Sequence, residues 1–294
     1  MTAARFERLA VAGVGLIGGS LALAAREAGL AGEVVGIGRR PERLRRAAEL
    51  GVVDRWTTEP AEGVAGADLV VLAVPLGAMR ALMEALAPGL GPEAVVTDVG
   101  SAKRAVVEDA RAALGDAFAR FVPGHPVAGT ERSGVEAAFA TLFRGRRVIL
   151  TPVAETAPEA VARVRALWEA VGAEVVEMDP ARHDRILAAT SHLPHVLAYT
   201  LVDLLAGLAE HEEVFANAAG GFRDFTRIAS SDPVMWRDIC LANREAIVEM
   251  LDRYGEALAA VRAAVAGADG AALERLFARA KAARDAHAAG REEG

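Results

Sequence analysis

The sequence predicts an α/β first half built on a mainly parallel sheet, joined to an all-α second half. Three observations predict this. Short, continuously apolar runs alternate with amphipathic stretches up to about residue 179. Strands apolar on both faces belong to parallel sheets covered by helices on each side. Beyond that point the strand signals stop, and residues 180–208, 236–266 and 270–288 carry helical spacing. The length, 294 residues, suits two domains better than one. The sequence places them at 1–179 and 180–294.

The elements follow in order. "RLAVAGVG" is a buried strand, and "LIGGSLALAAREAGL" is a helix closed near Gly29. The same start has the outline of a secretory leader, with Arg5 and Arg8 before an apolar run ending in Ala22-Leu23-Ala24. The glycines fall at turn spacing and the next segments continue the alternation, so strand, turn and helix is the better reading. "EVVGIG" is the second strand. "PERLRRAAELG" is a helix with proline at its opening and glycine at its close. "ADLVVLAVP" and "AVVTDVG" are strands around the helical "MRALMEALAPGL". "SAKRAVVEDARAALG" is a helix, with Ser101 a candidate N-cap, and "RFVPGHP" a short strand. "RRVILTP", a helix at 157–171 and "AEVVEM" complete the first half.

Composition narrows the function classes. Hydrophobic residues make up 53%, enough for a sizeable core, while the net charge of −7 speaks against a nucleic-acid partner. No stretch is convincing as a membrane span. A single cysteine, Cys240, rules out an internal disulfide framework and a cysteine-based zinc site. It is expected to be a small core residue, and the cytoplasm is the expected compartment.

Gly13, Gly15, Leu16, Ile17 and Gly18 form a G-x-G-x-x-G turn between the first strand and its helix. In that context the first glycine makes the turn, the second lets a pyrophosphate approach, and the third lets helix and strand pack closely. The first half is therefore expected to be a Rossmann-type dinucleotide-binding domain. An NAD-specific site usually has an acid at the end of the second strand. Here Gly38, Arg39 and Arg40 stand there instead, which leans toward NADP or use of both dinucleotides. Val74, Pro75 and Ser101 follow later strands and are expected beside the same cofactor.

His125 follows the next strand. Its position allows either a base for an alcohol or a core histidine. His192 and His195 share one helix face, but nothing about them matches a metal-binding pattern, so no metal site is expected. "GGFRDFTRIASSDPVMW" gathers Asp224, Arg227 and Trp236 on a segment too rich in glycine and serine for an unbroken helix. An arginine there could pair with a substrate carboxylate or join an inter-domain ion-pair network.

With these motifs in order, the chain resembles the prephenate dehydrogenases, with arogenate and cyclohexadienyl dehydrogenases as near relatives. The resemblance runs through "GVGLIGGSLA", "DVGSAK", "GHPVAGTERSGVEAA", "SHLPHVLAYTL" and "GGFRDFTRIASSDPVMW". It implies a homodimer joined through the helical domain, with an active site between the two halves. The implied reaction is oxidative decarboxylation of prephenate to 4-hydroxyphenylpyruvate in tyrosine biosynthesis, or of arogenate to tyrosine. It implies that His125 hydrogen-bonds the C4 hydroxyl and that Ser101 orients His125 and the nicotinamide. Thr130, Glu131, His192 and His195 would line the substrate pocket, Arg227 would bind a substrate carboxylate, and Asp224 and Trp236 would border the pocket. The arginine pair after the second strand departs from the acidic form of NAD-specific members. No appended regulatory domain is expected. A dinucleotide-sensing regulator is the non-enzyme alternative, and it would need no base at His125.

Overall fold

A computed structural model describes residues 5–130 and 132–292. Six parallel strands form the main sheet in the order β3-β2-β1-β4-β5-β6. They are β1 (Phe6–Ala12), β2 (Ala31–Ile37), β3 (Arg55–Thr57), β4 (Leu69–Leu72), β5 (Val95–Asp98) and β6 (Phe121–Val122). Five helices belong to these crossovers: α1 (Leu16–Glu27), α2 (Pro41–Glu49), α3 (Pro60–Val64), α4 (Met79–Leu86) and α5 (Arg104–Ala113). Proline opens α2 and α3 at positions where the amide would be unpaired anyway.

The strands bury both faces, as their continuous apolar runs predict. Leu9 and Val11 point to one side with Val34, Leu69 and Val71, and Ala10 and Ala12 to the other with Ile37, Val70 and Leu72. Each fully buried Leu or Val contributes about 1.5–3 kcal/mol. Helix α6 (Pro158–Ala170) adds Trp168, with no exposed surface, to the first layer; α4 and α5 add Met79, Met83 and Val106 to the second.

The chain order reverses between β1 and β4, so a crevice opens beyond their carboxyl ends. The expected single strand "RFVPGHP" is in fact two. Pro123 has no amide for the ladder, and the chain leaves the main sheet after β6. It re-enters as β7 (Gly124–Pro126) of a second sheet, antiparallel to β8 (Arg147–Leu150), which pairs in parallel with β9 (Glu174–Glu177).

The remaining elements are helical. Asp179 caps α7 (Pro180–Leu187) by accepting the Ala181 and Arg182 amides. A π-turn over Ala188–His192 leads into α8 (Leu193–Ala206). Pro194 removes the amide that a regular helix would direct to Thr190, and the wide turn absorbs that loss. Then come α9 (His211–Ala216), α10 (Gly220–Thr226), α11 (Pro233–Ala242), α12 (Arg244–Ala266) and α13 (Gly270–Glu292). By compactness the chain forms two units, 1–246 and 247–294; the second contains most of α12 and all of α13. Cys240 on α11 is half-buried rather than in the core. Among the described residues no helix is long and apolar enough to cross a membrane.

Candidate active site

The glycine turn does what its spacing predicts. Gly13 has φ +100°, and a side chain there would put Cβ 2.3 Å from the Ala73 carbonyl oxygen. A Cβ at Gly18 would lie 2.2 Å from the Gly13 carbonyl oxygen, whereas one at Gly15 meets only open space. Steric need explains the first and third glycines; the second leaves room for a ligand. Among the described residues no side chain caps α1, so the amides that open it, at Leu16 and Ile17, are left for a ligand at the positive end of the helix dipole. These residues fit a dinucleotide pyrophosphate. Arg39 and Arg40 are exposed, and neither side chain has a hydrogen bond or ion pair among the described residues. After β4, Val74 is half-buried and Pro75 exposed. The Gly77 amide donates to Asp238 Oδ2 of α11 at 3.2 Å, and a Cβ at Gly77 would lie 2.7 Å from that oxygen.

At the end of β5, Asp98 is fully buried. It accepts the Gly100 amide at 2.7 Å and the Gly124 amide at 3.1 Å, and pairs with the fully buried Lys103 ammonium. Lys103 also donates to the Gly124 carbonyl at 2.6 Å. This pair ties the β5 end to the start of β7. Burial lowers the Lys103 pKa, against the pull of Asp98. Ser101 does not cap α5, which begins three residues later. The Asp184 carboxylate reaches across from α7 and accepts the Lys103 amide at 2.8 Å and the Arg104 amide at 3.0 Å.

His125 lies on β7, next to the glycine pinned by Asp98. Its Nδ1 is 2.8 Å from His183 Nε2, and His183 Nδ1 is 2.8 Å from Asp184 Oδ1. All three residues are buried. Burial holds the His125 pKa well below the ordinary histidine value, with His183, Lys103 and His192 pushing the same way. A buried, neutral, hydrogen-bonded histidine fits both sequence readings, a base and a core histidine. Among the described residues no hydrogen bond is made by its Nε2, so a neutral His125 can accept a proton there.

The helical wall comes from the π-turn, α8 and α11. His192 accepts from the Asn243 amide at 3.1 Å, and Asn243 also donates to the Asp184 carbonyl at 2.8 Å. Burial brings the His192 pKa to about 4, although Asp184 and the Ser101 backbone oppose the shift. His195 stacks on Trp236 with ring centroids 3.7 Å apart, and His192 meets the same indole edge-on at 6.1 Å. His192 Nε2 and Trp236 Nε1 are buried without a hydrogen-bond partner among the described residues, as are Thr151 Oγ1 and Trp168 Nε1 in the first half of the chain. Arg227 is close enough to help lower the His195 pKa, after burial. Thr130 is exposed and accepts the Arg132 amide at 3.2 Å; Asp224 is exposed on α10. Glu131 lies outside the described residues.

A family profile described as "Prephenate dehydrogenase, nucleotide-binding domain" matches residues 21–177, and "Prephenate dehydrogenase, dimerization domain" matches 179–279. A cyclohexadienyl dehydrogenase of Zymomonas mobilis is 39% identical over 95% of each chain. The chain belongs to the prephenate dehydrogenase family. A Bacillus subtilis prephenate dehydrogenase is also 39% identical, over 95% of this chain and 76% of that protein. The crystal structure of the prephenate dehydrogenase from A. aeolicus, in complex with hydroxyphenyl propionate and NAD+, matches with TM-score 0.85 and 38% identity, covering 92% of this chain and 94% of that one. Synechocystis arogenate dehydrogenase matches with TM-score 0.80 and 30% identity over 95% and 99%.

Sequence reading did not single out His183, Asp184 or Asp238, which the structure ties to His125, α5 and Gly77. The signal for the first two was the adjacent His-Asp pair just after the last strand. Nothing local marks Asp238, whose partner Gly77 is 161 residues away.

Proposed function

We propose that this chain oxidises prephenate to 4-hydroxyphenylpyruvate and CO₂, a step of tyrosine biosynthesis. The observation that carries the reading is His125, buried and neutral beside the end of β5. When bound, the dinucleotide would supply a two-electron hydride acceptor. A ring nitrogen of His125 takes the hydroxyl proton as hydride leaves C4. The C4 ketone then activates loss of the ring carboxylate: the bond to C1 breaks, CO₂ departs, and its electron pair completes the aromatic ring. No lysine Schiff base is needed; one of the two lysines, Lys103, is already paired with Asp98.

In this reading Arg227 meets a substrate carboxylate, and the stacked His195 and Trp236 form one wall. The unpartnered His192 Nε2 and Trp236 Nε1 offer polar contacts to substrate. Ser101, Thr130 and Asp224 complete the pocket, and Glu131, outside the described residues, is assigned to it only by the family resemblance. We place the domain boundary at 179/180, as the profile limits support, and a homodimer contact in the helical domain. Leu204, Leu241, Val248 and Phe277 leave apolar surface exposed there. The free Arg39 and Arg40 favour NADP, or both dinucleotides. Arogenate is the second substrate reading, supported by the likeness to an arogenate dehydrogenase.

Initial rates with prephenate and arogenate, each with NAD+ and NADP+, test all of this. The expected result is reduced dinucleotide and CO₂ in equal amounts from prephenate. Turnover of arogenate alone transfers the reading to that substrate; no turnover of either defeats it.

A further inference from the structure

His183 and Asp184 are buried, polar and linked to His125, yet the reaction as derived gives them no task. Their hydrogen bonds fix the protons one after another. The Asp184 carboxylate accepts a backbone amide on each oxygen; against burial, these bonds and His183 hold its pKa below the ordinary carboxylate value, so it is ionised and can only accept. His183 Nδ1, at 2.8 Å from Oδ1, must therefore donate. In neutral His183 the proton on Nδ1 leaves Nε2 as an acceptor. His125 Nδ1, at 2.8 Å from that nitrogen, must then be the donor. His125 Nε2 is left as a bare lone pair.

We propose that His183, held by Asp184, is a positioning residue that locks His125 into the Nδ1–H tautomer and so reserves Nε2 for the substrate hydroxyl. The inference rests on the reading of His125 as the base. The opposite arrangement needs a protonated His183, which would donate to His125 Nδ1 and leave the proton on Nε2, disabling the base. The groups facing this pair are Lys103 before α5, Asp98 on β5, Asp184 on α7 and His192 on the π-turn. Burial and Lys103 disfavour the protonated form of His183; Asp184 and Asp98 favour it, and the net shift is downward. His192 adds a further neutral ring beside His125. When His125 takes the substrate proton, the same chain presents its Nδ1–H to an acceptor backed by a carboxylate, which stabilises the imidazolium.

Ring-¹⁵N NMR of the full chain labelled in histidine, at neutral pH without substrate, tests this directly. His125→Asn assigns the His125 signals. The expected spectrum has His125 protonated on Nδ1 and bare on Nε2; a proton on Nε2 overturns the proposal whatever the substrate proves to be. His183→Phe removes the acceptor. It is expected to move the His125 proton to Nε2 and lower kcat about 10- to 100-fold, with KM unchanged. His183→Gln, whose carbonyl can accept, should restore Nδ1–H and recover part of the rate. Wild-type kcat in a folded His183→Phe variant would also overturn it. If that variant does not fold, the wild-type spectrum still decides. A correct tautomer without turnover of prephenate or arogenate would instead count against the proposed reaction.

Discussion

His125 is uncharged because its surroundings make a positive charge costly: it is buried, and Lys103 stands nearby. A base works only in its neutral form. With a pKa well below 6.5, that form persists as pH falls through 6.5 and is lost only further down. The acid limb of kcat is therefore expected below pH 6.5, in a pH–rate profile at saturating substrate. Arg40→Ala should weaken NADP+ binding about 10- to 100-fold, as expected for a lost charge-assisted contact, with little change for NAD+; isothermal titration with each dinucleotide reads the difference. His125, His192, His195 and Trp236 were singled out from strand position and family resemblance, and the structure brings the last three together. His183 was not, because its role comes from a contact 58 residues away in the chain.

At the scale of elements, the sequence marks a strand or helix well and its neighbours poorly. "RFVPGHP" reads as one strand, and only tertiary pairing shows that Pro123 passes the chain from one sheet to another. That transfer puts His125 beside Asp98 rather than at the tip of a main-sheet strand. Ser101 has the right chemistry for a cap, yet the α5 amides go to Asp184, 80 residues later. One carboxylate thus caps α5 and holds His183. Asp184→Asn replaces one acceptor oxygen by a donor facing an amide. It is expected to cost about 1–2 kcal/mol, seen as a lower urea midpoint with unchanged m-value.

For the whole molecule, the buried His125, His183 and His192 and the half-buried His195 contribute to the response to acid. His125, His183, His192 and His195 all have lowered pKa values. In the unfolded chain each returns to about 6.5. As pH falls below that value the unfolded state binds protons first, so stability is complete above it and drains away toward the folded pKa. For His192, folded near 4, the loss is about 3 kcal/mol by pH 4, and the other three add with the same sign. Tm should therefore fall steadily between pH 7 and 5; a flat Tm would contradict neutral burial of these rings. The two-part architecture and the glycine turn were legible because periodicity and spacing are local. The polar contacts that join α7 and α11 to the crevice were not, because they depend on how distant segments pack.

His125 is proposed as the base of a prephenate-oxidising site. Its most direct test compares the purified wild type with His125→Asn, with prephenate saturating and dinucleotide binding measured alongside. Wild type should form reduced dinucleotide and CO₂ one to one, and the variant should bind dinucleotide normally with kcat about 10²–10⁴-fold lower. An unaltered kcat in the variant would contradict the claim.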